Sequence, residues 1–227
     1  MEWVNVIESL RGKEGIEFGG STELFYEPRN NMMLYPFVKL DGANIFDDNH
    51  FNDLSGYDFN YFYGVGKRYN VDASDEEGIK NINKKYDFIV TSHVIEHMAN
   101  PIKSIELWKK HILNDGGYIL TIIPYYKECF DRNRPLTTIE HLIEDYQNNV
   151  DESDTTHINE QKELHDWTMG GHKDFYSICD INHKTRVVHH HTFDLENIKQ
   201  MFEYCNMEIV YLFKHDPLNI VVLTKIK

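Results

Sequence analysis

Two sets of residues have types and spacings that could do chemistry: a short acidic glycine turn near the start, and a crowd of histidines in the second half. In Glu17-Phe18-Gly19-Gly20-Ser21-Thr22-Glu23 an acid stands at the edge of a glycine pair. Glycine lets a backbone come close to a ligand. A dinucleotide fingerprint needs three spaced glycines and a long helix after them. Here the third glycine is missing and Pro28 stops any long helix. The acid would also repel a pyrophosphate, so a ligand carrying a cation suits the turn better than NAD. Asp41, just before Gly42, could accept both hydroxyls of a ribose, or it could be a surface acid before a turn.

Eight of the 13 histidines lie between residues 141 and 191, amid many acids. The candidates are Asp131, Arg132, Arg134, His141, Asp145, His157, His165, Asp166 and the run His189–His191, with His190 at its centre. Three readings compete. An imidazole accepts a proton near neutral pH and so could activate an acceptor hydroxyl, with Arg132 and Arg134 clamping phosphates. Imidazoles and carboxylates are also good ligands for a divalent metal, although His157 and His165 fit no standard zinc spacing. In the third reading these are solvated or capping groups. His141 and Asp145 stand four residues apart, so on a helix the carboxylate could orient the ring.

The elements that must hold these residues follow from periodicity and breakers. Trp3, Val6 or Ile7, and Leu10 have helical spacing. Gly15–Phe18 reads as a first strand, Leu34–Asp41 as a second and Lys67–Val71 as a third, followed by Asp72-Ala73. Residues 43–66 show no clean period. Lys84–Ser92 is a strand buried on both faces, ending at His93. Asn100 and Pro101 cap a helix whose apolar face runs to Ile112, Gly116-Gly117 ends it, and Tyr118–Ile123 is the next strand. Residues 125–190 read as an insertion of helices and loops over the carboxyl edge of the sheet, with helices expected at Thr138–Tyr146 and Asn159–Trp167. Asp194 caps a last helix, and Glu208–Phe213 with Ile220–Ile226 form a hairpin.

Composition bounds the function. At 227 residues the chain accommodates one α/β domain over 1–227. A net charge of −14 argues against nonspecific binding to nucleic acid or an anionic membrane. Three scattered cysteines without a CxxC pair fit free thiols in a reducing cytoplasm. Met1-Glu2-Trp3 has no signal-peptide character, and no apolar run approaches the roughly 20 residues of a membrane span. A homo-oligomer is open, because the Tyr and Phe of residues 57–63 could pack against a second subunit.

The succession of strand, acidic glycine turn, strand, Asp, strand, Asp-Ala, strand, helix, strand and hairpin resembles the class I S-adenosylmethionine (SAM)-dependent methyltransferases. The strongest local likeness is Tyr86–His97, followed by Asn100-Pro101 and Gly116–Leu120. It departs from that family at Ser21 and Glu23, where further glycines are usual. The resemblance implies a doubly wound, mostly parallel seven-stranded sheet with a C-terminal antiparallel hairpin. It implies that Glu17, Gly19, Gly20 and Ser21 bracket the methionine part of SAM, and that Asp41 holds the ribose. Asp72 and Ala73 would flank the adenine, and Ser92 and His93 would lie near the sulfonium and the acceptor. Phe130–Asp145, Asp154–His157, Leu164–Asp166 and His189–Phe193 look similar to uncharacterised methyltransferases found with polysaccharide-building enzymes. That likeness implies O-methylation of a sugar, nucleotide-sugar or glycan precursor, with an insertion histidine as general base. A metal-assisted hydrolase or lyase using the insertion, and a noncatalytic binding protein of the same fold, are the alternatives.

Overall fold

The computed structural model describes residues 2–45, 58–170 and 174–227. Seven strands form one sheet: β1 Glu14–Phe18, β2 Lys39–Asn44, β3 Arg68–Asn70, β4 Tyr86–Ser92, β5 Leu113–Pro124, β6 Met207–Lys214 and β7 Asn219–Ile226. Their spatial order is β3-β2-β1-β4-β5-β7-β6. The first five run parallel, whereas β7 pairs antiparallel with both β5 and β6. The expected doubly wound sheet with a terminal hairpin is what the chain forms. The order reverses direction between β1 and β4, which places a crevice at their carboxyl ends.

Apolar layers cover both faces. One is built around Trp108, Ile105, Ile198 and Phe202, from α3 (Pro101–His111) and α8 (Leu195–Tyr204), with α2 (Glu76–Asn81) beside them. The other gathers Trp3, Val6 and Leu10 of α1 (Glu2–Leu10) with Phe25, Leu34 and Tyr35. The central strands are apolar on both sides because both sides are buried. Gly15 in β1 is required by this packing: a Cβ there would lie 2.4 Å from the Phe88 ring.

Two expected boundaries shift. The apolar run from Leu34 does not begin β2, since Tyr35–Phe37 is a 3₁₀ turn around Pro36, which cannot donate to a ladder. The strand starts at Lys39 and continues past Asp41 to Asn44. In the fifth strand, Tyr86 pairs with Leu113 but Phe88 pairs with Tyr118, so Asn114–Gly117 bulge out within one strand instead of separating helix from strand.

Between β5 and α8 lie α4 (Ile139–Gln147), α5 (Thr156–Leu164), α6 (Phe175–Cys179) and α7 (Asn182–Thr185). α4 falls where expected, with the Thr138 hydroxyl accepting from the His141 amide. α5 begins and ends earlier than expected. Asp154 accepts from the Thr156 amide at its start, and Asp166 opens a separate 3₁₀ turn after it. Ile158, Phe175, Cys179 and Val188 form a small apolar cluster of their own. Among the described residues, no helix is long and apolar enough to cross a membrane. Of residues 57–63, Tyr57 lies outside the described residues; Phe59 and Tyr61 are buried, whereas Phe62 and Tyr63 are exposed.

Candidate active site

A cavity of about 470 Å³ opens at the carboxyl ends of β1 to β4. Its floor is Gly19, Gly20 and Ser21 after β1, and its flank is Asn44 and Ile45 at the end of β2. Val71, Asp72 and Ala73 after β3 face Val94, His97 and Met98 after β4, and Glu152 and Arg186 reach in from the insertion. Gly19 has φ +81, and a Cβ on it would lie 2.5 Å from the Val94 side chain. At Gly20 a Cβ would overlap the Glu17 carboxyl, 2.0 Å away. Gly19 thus leaves room beside Val94 of the cavity wall, whereas Gly20 leaves room for Glu17.

Glu17 therefore lies behind the turn, not in the cavity. Tyr35 donates its hydroxyl to one carboxyl oxygen at 2.7 Å, and the Thr22 amide donates to the other at 3.2 Å. Burial pushes the Glu17 carboxyl up to about 8, and these two donors only partly oppose it. Asp41 is displaced as well. With β2 running on to Asn44, the Asp41 side chain leaves the cavity and takes hydrogen bonds from Lys84, the Tyr86 hydroxyl and the Lys67 amide. Burial works against its charge, but Lys84 and Tyr86 outweigh it and hold the carboxyl below its ordinary range. The residue at the end of β2 that lines the cavity is Asn44. Its Nδ2 donates to the Gly20 carbonyl, while its Oδ1 is buried without a partner.

Asp72 and Ala73 line the cavity just after β3. One Asp72 oxygen accepts from the Ser74 amide and hydroxyl, at 2.8 and 2.7 Å, and the other is paired with Arg186. Arg186 also pairs with Glu152, which in turn accepts from the Ala99 amide. The insertion is thus tied by charge to the ends of β3 and β4. Ser92 and His93 end β4 beside the cavity, outside its lining. His93 has φ 55, and its Nε2–H donates to Asn219 Oδ1 at 2.9 Å. Its Nδ1 lies 3.5 Å from Glu96, a fully buried acid whose two oxygens have no hydrogen-bond partner and whose pKa burial raises.

Behind the cavity wall the insertion supplies a buried polar core. His189 Nδ1–H donates to Asp131 at 2.5 Å, and Arg134 donates to the same carboxylate at 2.9 Å. Burial disfavours both charges, yet the mutual attraction wins, so the Asp131 carboxyl is held well below its ordinary range and the His189 ring is raised. His189 stands edge-on to the pocket residue His97, ring centres 4.5 Å apart. His97 donates Nδ1–H to the Val188 carbonyl, and burial keeps its ring neutral. Arg134 is fully engaged by Asp131, Glu160, Gln161 and the carbonyls of His189 and His190. Arg132 pairs with Asp166 and Thr168 at the surface. Neither guanidinium reaches the cavity, so the expected phosphate clamp is not formed by these two residues.

The remaining histidines separate into two places. His165 donates to the Gly170 carbonyl and packs against Phe130, Trp167 and Phe175, away from the cavity. His141, Asp145 and His157 form a cluster with His191, also outside the lining. His190 lies next to it, hydrogen-bonded to Asn182 and lowered by burial to about 4. Among the described residues, two groups could each hold a metal ion: His141, His157 and His191; and Glu96, His97 and His189.

Comparison with known proteins decides the family. A family model described as a methyltransferase domain matches residues 4–212. The chain belongs to that methyltransferase family. No curated protein matches it. Among solved structures, the trans-methyltransferase CalH in complex with SAH has a TM-score of 0.53 at 11% identity, covering 99% of this chain and 54% of that one. The N-methyltransferase NodS from Bradyrhizobium japonicum WM9 has a TM-score of 0.48 at 8% identity, covering 98% and 91%. Across such matches the chain spans from 51% to 91% of the other chain's length.

SAM is the cofactor of a methyltransferase domain of this fold, and the cavity suits it. Gly19, with no Cβ toward Val94, gives close approach, and Asn44 on the flank holds the Gly20 carbonyl of the turn. Ala73, Val71 and Met98 offer apolar walls beside Asp72 for a base. Asn44, Glu152 and Arg186 line the cavity without any signal in the sequence, whereas His189 belongs to the histidine run and lies behind the wall. Asn44 carries no motif, and Glu152 and Arg186 reach the site only through tertiary packing.

Proposed function

We propose that this methyltransferase domain transfers the methyl group of SAM to a hydroxyl of a sugar or glycan precursor in the cytoplasm, with His189 as the insertion's general base. The observation that carries the base assignment is the buried Asp131–His189 pair against the cavity residue His97. Asp131 takes Nδ1–H and raises the pKa of the ring, so in its neutral form His189 keeps a lone pair on the other nitrogen and is a strong base toward a hydroxyl proton. His93, Glu96, His97 and His189 together make an arc at the carboxyl end of β4, beside the SAM cavity. An acceptor held against that arc attacks the methyl carbon in line as the C–S bond breaks. S-adenosylhomocysteine leaves as a neutral thioether, and the hydroxyl proton passes to His189.

The sugar or glycan class rests on the likeness of the insertion to methyltransferases found with polysaccharide-building enzymes. A neutral sugar is favoured over a nucleotide-sugar, because Arg132 and Arg134 are both engaged within the insertion. A small-molecule acceptor also agrees with the charge of −14, which disfavours nucleic acid.

The test is methyl transfer from labelled SAM to a panel of neutral sugars and oligosaccharides, using wild type and His189→Gln. The expected result is a fall in kcat of about a hundredfold or more, with SAM affinity and melting temperature near wild type. A variant that folds and retains full activity contradicts the base assignment. Transfer to nitrogen acceptors alone contradicts the acceptor class.

A further inference from the structure

Away from the cavity, α4, α5 and the segment that returns to α8 bring four metal-ligating side chains to one point. His141 and Asp145 are one helical turn apart on α4, and His157 is in the first turn of α5. His191 comes from the return segment and is 1% exposed. His141 Nε2 and His157 Nε2 face each other at 3.1 Å. Asp145 Oδ2 is 3.4 Å from His141 Nε2 and 3.7 Å from His191 Nε2. One ring nitrogen from each of the three histidines lies within 4.8 Å of the other two.

These contacts leave too few protons for the acceptors present. Between the two facing Nε2 atoms only one hydrogen bond can form. His191 donates Nε2–H to the Ala99 carbonyl at 3.2 Å, so its Nδ1 carries a lone pair, and that atom is buried without a partner. Asp145 Oδ2 is also buried without a hydrogen-bond partner. Buried acceptors without partners are costly, and a cation shared among them removes the cost. A ring N–H held by a backbone carbonyl is also the usual way a ligating histidine is oriented. The separations of 3.1 and 3.4 Å from His141 Nε2 to His157 Nε2 and Asp145 Oδ2 bracket the ligand–ligand edge of a tetrahedral site with bonds of about 2.0–2.1 Å, which is roughly 3.3 Å.

We propose that His141, Asp145, His157 and His191 form a site for one zinc-class divalent ion that staples the insertion together. Three imidazoles and one carboxylate suit zinc, and four protein ligands make a closed, structural site with no position open for substrate. The ion would join α4, α5 and the return segment, three elements distant in sequence. His191 also contacts the backbone of Glu96 and Ala99, so the staple braces the turn that carries His97 and Met98 into the cavity. The site does not depend on the acceptor or the base assigned above.

The test uses the full chain, first stripped with a chelator and then titrated with Zn²⁺, alongside His157→Gln, Glu96→Gln and His183→Gln. His183 is exposed and outside the cluster. The expected result is one ion per wild-type chain that survives dialysis, raises the melting temperature, and is lost in His157→Gln alone. Co²⁺ in the wild-type chain should give the strong visible absorption of a tetrahedral site, which keeps the test decisive if His157→Gln does not fold. No tightly held ion and no tetrahedral Co²⁺ spectrum overturn the proposal. Equal ion content in His157→Gln and wild type overturns it too, as does loss of the ion in Glu96→Gln alone, which would place it at the other group.

Discussion

Glu17 is an acid sealed beneath a glycine turn, and its protonation should be visible in the stability of the whole chain. The native state keeps the Glu17 proton up to about pH 8, whereas the unfolded chain loses it near 4.5. Between those values the native state binds more protons, so Glu17 lowers stability as pH rises. The slope is at most about 1.4 kcal/mol per pH unit. Denaturant unfolding across pH 4.5–8 should show a flatter profile for Glu17→Gln than for wild type; parallel profiles would mean that the carboxyl is not perturbed. Asn44 and Asp41 make a second contrast. Asn44→Ala should weaken SAM binding about tenfold by releasing the Gly20 carbonyl of the turn, while Asp41→Ala should leave affinity unchanged and lower stability through Lys84 and Tyr86. Calorimetry reads the affinities, and the reverse pattern would restore Asp41 as the ribose ligand. Asp41 lies inside the strand for a local reason: Leu34–Phe37 is apolar enough for a strand, yet Tyr35–Phe37 folds as a 3₁₀ turn, which moves the strand end three residues on to an asparagine without a motif.

Elements were more legible than residues where one local signal sufficed. The strand expected over Lys84–Ser92 forms from Tyr86, and the Asn100-Pro101 helix start, the Asp194 cap and the terminal hairpin appear as expected, because each depends on alternation, burial or a cap within a few residues. Asp194 caps α8 reciprocally with Asn197, so Asp194→Ala should cost about 1 kcal/mol. For a chain of this length that is a loss of about 2–4 °C in melting temperature. No change would mean that the last helix is held by packing alone. The insertion was harder. α4 was legible from its apolar spacing, but α5 was placed late because Asp154 and Asp166 set its ends, and either acid could have capped a helix. Nothing local announced that Arg186 would pair with Asp72 across the cavity, or that Asp131 and His189 would meet.

At the scale of the molecule, the sheet order was legible because a parallel run of strands with an acidic glycine turn at the first crossover leaves few topologies. The same order puts the crevice between β1 and β4, where Gly19, Gly20, Asn44 and Asp72 converge with Arg186. The histidines divide between that crevice and a separate cluster, a division that spacing could not reveal because both sets interleave in the chain. The central claim is that the crevice is a SAM site. Calorimetric titration of the full chain with SAM and with S-adenosylhomocysteine tests it most directly. The account predicts saturable binding of both ligands at one site per chain, weakened in Asn44→Ala; no binding of either at about millimolar ligand would contradict it.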